Sequence, residues 1–127
     1  MAGFFAYEIK GTREMRAKAA KLNADARRAM LNAVKKFQHQ EGVESDKRVP
    51  VLTGELKESK FEVEPYFQGN QVVGGLGYGA DHALVVHEDL EAFHPHGQAK
   101  YLESVINESA PHFPDRVAEE MKKETGM

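Results

Sequence analysis

The sequence predicts an α+β fold, in which a long N-terminal helix packs on a small antiparallel β-sheet of 3–4 strands and a C-terminal helix closes the structure. Three changes of pattern predict it. Apolar residues recur at steps of three or four from Met15 to Phe37, every second residue is apolar from Lys60, and helical spacing returns after Gly97. Because 127 residues is the size of one domain, we assign residues 1–127 to a single domain.

The first predicted elements are a short strand and a long helix. The segment from Phe4 to Ile9 is β-prone, and Thr12 is a plausible N-cap for the helix. The apolar stripe of this helix is narrow and rich in alanine. Gly42 is predicted to end the helix, and the segment from Glu44 to Pro50 is interpreted as a polar connector.

This predicted helix is too long for its own domain. From Thr12 to Glu41 it would measure about 45 Å, whereas a compact chain of this size is roughly 35 Å across. Either the helix breaks, or part of its stripe packs on another subunit. The second alternative favours an assembly protein.

Three strands are predicted to form an antiparallel meander, with Gly69-Asn70 as the turn between the first two. They cover residues 60–64, 72–78 and 82–87. The second strand carries Gly75 and Gly77 on a face with almost no side chains, which predicts that another part of the structure approaches it closely.

The C-terminal helix is predicted to break near Pro111 and Pro114, because proline lacks an amide hydrogen and clashes with the preceding turn. An apolar stripe from Tyr101 to Ile106 precedes the break. Pro114 then suits a new helix start, with Asp115 in the first turn.

Charge is divided unequally along the chain. Residues 1–48 contain eleven Lys and Arg against six Asp and Glu, although the whole chain has a net charge of -3. This predicts that one end of the molecule meets an acidic partner, which could be nucleic acid, a protein patch or the acidic half of another copy. Arg13, Arg16, Arg27 and Arg28 are the candidate contact residues, and a DNA-binding accessory protein is one alternative function.

Composition and motifs argue against several kinds of chemistry. The absence of cysteine excludes disulfides, thiolate metal sites and thiol nucleophiles. There is no Gly-x-Ser-x-Gly motif, and the glycine-rich segment 74–79 lacks the Lys-Ser or Lys-Thr end of a P-loop. No apolar run is long enough for a signal peptide or a membrane helix, so we expect synthesis in a cytoplasm.

Histidines and carboxylates are concentrated in one segment, at His82, His87, Glu88, Asp89, His94 and His96. A metal-dependent hydrolase is therefore a second alternative. The spacing argues against it, since no His-Glu-x-x-His helix is present and His94-Pro95-His96 falls on a predicted loop. We interpret His87, Glu88, His94 and His96 as part of a polar contact surface.

Three segments resemble the tail-completion family of tailed phages, also called neck, connector or minor capsid proteins. Residues 48–59, RVPVLTGELKES, resemble its P-x-x-T-G-x-L-x-x-S signature. Residues 77–88, GYGADHALVVHE, are similar to its Y-A-x-x-V-H/E strand, with a small insertion at Gly79 to Asp81. Residues 94–102, HPHGQAKYL, resemble its proline or glycine followed by an aromatic-leucine helix.

The resemblance implies a non-enzymatic virion protein of the head-to-tail junction, without a cofactor or a small-molecule substrate. It implies a homo-oligomeric ring around the DNA channel that joins the portal side to the tail tube, assembled in the bacterial host cytoplasm. Thr53, Gly54 and Leu56 of the signature, with Gly75 and Gly77, complete the interface candidates. Contact with DNA in the channel is a further expectation.

Overall fold

The structure is a computed structural model of the chain, and it describes residues 5–48, 60–78 and 100–126. These residues form the predicted α+β arrangement of a small antiparallel sheet, a long helix and a C-terminal helical segment. The strands are β1 (Phe5–Lys10), β2 (Lys60–Gln68) and β3 (Gln71–Tyr78). The helices are α1 (Arg13–Ala19), α2 (Ala24–Arg48), α3 (Lys100–Ser109) and α4 (Phe113–Thr125).

The sheet has the strand order β1-β3-β2, and both pairings are antiparallel. The β-prone first segment is thus a strand of this sheet, where it pairs with β3 from Phe5↔Tyr78 to Lys10↔Val73. The predicted strand over residues 82–87 lies outside the described residues. The predicted Gly69-Asn70 turn is confirmed, and Gly69 takes the positive φ of 63° that glycine adopts without strain.

β2 carries a bulge opposite β3. Val63 pairs with Gly75 and Tyr66 pairs with Val73, so β2 has one more residue than β3 in this interval. Pro65 lies in the bulge, where a residue without an amide hydrogen interrupts the ladder least.

The predicted single helix from Thr12 to Glu41 breaks into α1 and α2, which was the first of the two alternatives. Thr12 is the N-cap of α1, as predicted, and its hydroxyl accepts a hydrogen bond from the Met15 amide at 3.2 Å. The chain then turns after Ala19, and Asn23 Oδ1 accepts from the Ala26 amide at 2.8 Å. The short polar side chain of Asn23 thereby starts a second helix.

The predicted helix end at Gly42 is wrong, as is the connector from Glu44, because α2 continues to Arg48. Gly42 is buried inside the helix. A Cβ there would lie 3.3 Å from Leu76 Cδ1 and 3.4 Å from Lys60 Cδ, so the glycine lets α2 approach β2 and β3 closely.

α2 lies between the sheet and the C-terminal helices, since it contacts β2, β3, α3 and α4. Its apolar residues Ala29, Met30, Ala33, Val34 and Phe37 are all buried in the core of the chain itself. The expectation that the alanine-rich stripe needs another subunit is therefore wrong. The break after α1 shortens the helix enough for this stripe to be covered within one chain.

The predicted break of the C-terminal segment is confirmed. α3 ends at Ser109, residues Ala110–His112 form a 3-10 turn that contains Pro111, and α4 follows with Pro114 in its first turn. α4 runs antiparallel to α2, with Phe113 beside Phe37 at a ring distance of 4.6 Å. Gly126 caps α4 at a φ of 74°.

Candidate interaction surfaces at the two ends of the long helix

Exposed cations are concentrated at the start of α1 and α2. They belong to α1, to the turn after it and to the first turns of α2. This basic surface consists of Arg13, Arg16, Lys18, Lys21 and Arg28. Burial of Met15 and Ala19 fixes one face of α1 inward, which directs the charged residues between them to the outside.

The basic surface lies near the β2–β3 turn. The Gly11 amide, just before α1, donates to the Val72 carbonyl at 2.9 Å, and Val72 follows that turn closely. Within residues 5–48, 60–78 and 100–126, none of the five cations forms an ion pair. Glu14 and Asp25 are the acids that lie among them in the sequence.

Arg27, a predicted contact residue, is occupied within the chain. Its guanidinium donates to the Gly69 carbonyl at 3.3 Å and to Asn70 Oδ1 at 2.5 Å, and it lies 4.8 Å above the Phe67 ring. The role of Arg27 is thus to hold the start of α2 on the β2–β3 turn. Arg13, Arg16 and Arg28, by contrast, are exposed.

Polar and charged side chains along α2 contact β2. Lys35 lies 2.9 Å from Glu64, His39 Nδ1 lies 3.0 Å from Glu62 Oε2, and Asp46 pairs with Lys60. We call this row the α2–β2 seam. Its exposed pairs contribute little to stability, but they neutralise one side of the long helix.

The α2–β2 seam ends in a buried polar network at the far end of the sheet. The Tyr78 hydroxyl lies 2.7 Å from Asp46 Oδ1 and 3.0 Å from Ser45 Oγ. Since a phenol has one hydrogen, it donates to the carboxylate and accepts from the serine. Ser45 is fully buried, so its hydroxyl serves to attach α2 to β3.

An acidic depression of about 270 Å³ lies between the second half of α2 and the α3–α4 junction. Its residues are Glu41, Glu44, Val105, Glu108, Ser109, His112 and Arg116. Glu41 and Val105 are the buried members and form its floor, whereas Glu108 and His112 are exposed at its rim.

Glu41 is a buried carboxylate, only 4% exposed, with one partner on α4. Arg116 Nη1 donates to Glu41 Oε1 at 2.9 Å, and Arg116 Nη2 donates to Gln40. The Arg116 guanidinium also lies 4.5 Å above the Phe37 ring. The second oxygen, Glu41 Oε2, is buried without a hydrogen-bond partner.

Arg28 of the basic surface and Glu41 of the acidic depression lie on different stretches of α2. From Arg28 to Glu41 the helix rises by about 20 Å at 1.5 Å per residue. Arg28 and Glu41 are therefore too far apart along α2 to neutralise each other. Within the depression, Glu41 pairs with Arg116, and Glu44 lies 3.3 Å from Lys47.

The glycines predicted as interface candidates are buried within the chain. At Gly75 the close approach comes from β2, since a Cβ at Gly75 would lie 3.0 Å from Val63 Cγ2. Gly77 is also buried. Contact of either glycine with another subunit stays a prediction.

The remaining interface candidates lie outside the described residues. They are Thr53, Gly54, Leu56, His87, Glu88, His94 and His96. The histidine segment considered for metal chemistry also lies there. In the parts of the chain that are described, no three His, Asp or Glu side chains form a group that could hold a metal ion.

Glu41 and Arg116 were missed by the sequence reasoning. A usable signal existed at Glu41, because it follows Ala33 and Phe37 at steps of four and so continues the buried stripe. A carboxylate in such a position predicts a cationic partner. Nothing local identified Arg116 as that partner.

Comparisons with protein-family models, curated proteins and solved structures give no match to this chain. Among the described helices, none has the combined length and apolar character needed to cross a bilayer.

Proposed function

We propose that this protein is a structural component of the tailed-phage head-to-tail junction, a tail-completion or neck protein. It assembles into a homo-oligomeric ring that surrounds the DNA channel. On one side the ring meets the portal, and on the other side the tail tube. Its location is the virion, after assembly in the bacterial host cytoplasm.

The observation that carries the proposal is the unequal distribution of charge, with the cations of the basic surface near the β2–β3 turn and Glu41 and Glu44 in the second half of α2. Two different patches that complement each other favour head-to-tail association. In this arrangement each copy contacts one neighbour through its first patch and the other neighbour through its second patch. Such contacts close into a ring when a whole number of copies completes one full rotation.

The element order supports the same proposal. The resemblance of residues 48–59, 77–88 and 94–102 to the tail-completion family implies a long helix on a small antiparallel sheet with a closing C-terminal helix. The described residues have this arrangement. The family signatures themselves fall mostly on residues outside the described ones, so they support the proposal through the sequence alone.

The test is the assembly state of the purified, untagged protein. Mass photometry and negative-stain electron microscopy should detect closed rings of one size, alone or after addition of the portal and tail-tube proteins encoded nearby. A protein that stays monomeric in both situations would contradict the proposal. Portal, major capsid and tail-tube genes beside its own gene are also expected.

A second candidate function is DNA binding. The five exposed cations of the basic surface, which form no ion pair among the described residues, favour it. Each phosphate neutralised by such a cation changes the slope of log affinity against log salt by about 0.9. The triple variant Arg13→Ala, Arg16→Ala, Arg28→Ala should flatten this slope for duplex DNA, and Lys122→Ala on α4 is the control. Absence of measurable binding at low salt would exclude this function.

A further inference from the structure

Asp46 joins three elements at one end of the fold. Its Oδ1 accepts a hydrogen bond from the Tyr78 hydroxyl at 2.7 Å, and its Oδ2 lies 2.5 Å from Lys60 Nζ. Asp46 belongs to the last turn of α2, Lys60 is the first residue of β2, and Tyr78 is the last residue of β3. One carboxylate therefore fixes the end of α2, the start of β2 and the end of β3 relative to one another. We call Asp46, Lys60 and Tyr78 the end clamp.

The end clamp is shielded from water on its inner side. Tyr78 is fully buried beside Ser45, and Asp46 and Lys60 are partly buried. Charged groups in such surroundings bind each other more strongly than an exposed surface pair does. Because both carboxylate oxygens are engaged, removal of Asp46 leaves the phenol and the ammonium without this acceptor.

The end clamp lies where two of the segments that resemble the tail-completion family begin. Residues 48–59 start two positions after Asp46, and Lys60 follows them directly. Tyr78 is the second residue of the segment 77–88. Two segments that are distant in sequence therefore join the described fold at one place. By sequence they contain the interface candidates Thr53, Gly54, Leu56, His87 and Glu88.

We propose that Asp46 is a positioning residue for subunit contact, because it fixes the places where both segments join the fold. It acts through Lys60 and Tyr78 rather than by touching the neighbouring copy. This inference rests on the proposed ring, and it locates subunit contact at the end of the fold that carries the end clamp.

Variants at two positions test whether the end clamp governs association. Asp46→Ala and Lys60→Met should each weaken association of the folded protein by at least about tenfold, since each loses a bond to a charged group. Lys60→Arg keeps the ion pair and should associate like the wild type. Mass photometry over a dilution series measures association, at a temperature at which circular dichroism shows every variant to be folded. If Asp46→Ala does not fold, the comparison of Lys60→Met with Lys60→Arg decides.

Gln38→Ala is the control for lost stability. It removes hydrogen bonds to the Val63 carbonyl and from the Gly75 amide, which lie inside the sheet rather than at its clamped end. This variant should associate normally. If it weakened association as much as Asp46→Ala does, or if the end-clamp variants formed rings as readily as the wild type, the inference would be overturned and the proposed function would stand.

Amide hydrogen exchange tests the end clamp without the ring. In unassembled Asp46→Ala, exchange should be faster than in the wild type at the clamped end of the sheet, where Phe61 pairs with Gly77. It should be unchanged at the opposite end, where Phe67 pairs with Val72. Equal exchange of Phe61 and Gly77 in the two proteins would overturn the inference alone, whereas a wild type that never associates would overturn the proposed function as well.

Discussion

Arg116 Nη1 lies 2.9 Å from Glu41 Oε1, which joins α4 to the buried side of α2. Replacement of Arg116 by alanine leaves a carboxylate buried without a cation and also uncovers the Phe37 ring. Since Arg116 itself is 34% exposed, we expect a loss of about 2–3 kcal/mol, below the usual cost of breaking a fully buried pair.

Urea unfolding of Arg116→Ala measures this loss, with Arg28→Ala as the control. Arg28 is exposed and has no ion pair in the described part of the chain, so its removal should change the free energy of unfolding by less than about 0.5 kcal/mol. Equal stabilities of the two variants would show that the Arg116–Glu41 pair does not hold α4 in place.

The Gln38 side chain joins two strands beside the bulge. Its Nε2 donates to the Val63 carbonyl at 2.7 Å, and its Oε1 accepts from the Gly75 amide at 3.2 Å. Gln38→Ala should lower the free energy of unfolding by about 3 kcal/mol, because two buried backbone groups lose a partner. The exposed Gln68→Ala is the matched control, and a Gln38 variant as stable as that control would refute the bridge.

Gly74 provides the space that Gln38 occupies. A Cβ at this position would collide with Gln38 Oε1, so Gly74→Ala should cost about 1–3 kcal/mol. Gly69→Asn, at a turn position with open space around it, should cost less than about 1 kcal/mol. Thermal unfolding compares the two variants.

A double variant checks that the cost at Gly74 comes from this collision. In a background that already contains Gln38→Ala, the alanine at position 74 no longer meets the amide oxygen. Its additional cost should therefore be much smaller than in the wild type, which is a coupling that a double-mutant cycle measures. Additive costs would assign the effect to another cause.

Glu120 gives the stability a pH dependence. The hydrogen bond from Lys36 lowers the pKa of the Glu120 carboxyl below its ordinary value of 4.5. A lowered folded-state pKa stabilises the folded form above the ordinary value, and this contribution disappears as the pH falls through the lowered value. Thermal midpoints from about pH 7 to about pH 3 should fall less steeply for Glu120→Gln than for the wild type. Glu119→Gln is the control. If the thermal midpoint of the wild type fell with pH no more steeply than that of Glu120→Gln, this expectation would be contradicted.

Local pattern was enough to predict most of the element types. The Thr12 cap, the alternation from Lys60, the Gly69-Asn70 turn and the Pro114 helix start all depend on neighbours within a few residues. Such signals act through backbone geometry and can be interpreted without tertiary structure. The α+β class followed from them.

Features that depend on distant partners were not predictable in this way. From the sequence, Gly42 is a typical residue to end a helix, and its closeness to Leu76 on β3 and Lys60 on β2 shows that it is a packing position. Arg27 resembles any exposed arginine until the β2–β3 turn is placed beside it. Glu41 and Arg116 are 75 residues apart, so the depression they share emerges only when α4 packs on α2.

The position of β1 at one side of β3 has a consequence for synthesis on the ribosome. Phe5–Lys10 is translated before its partner strand Gln71–Tyr78, and α1, α2 and β2 are translated between them. The nascent chain therefore contains a β-strand segment that cannot pair until β3 has been synthesised.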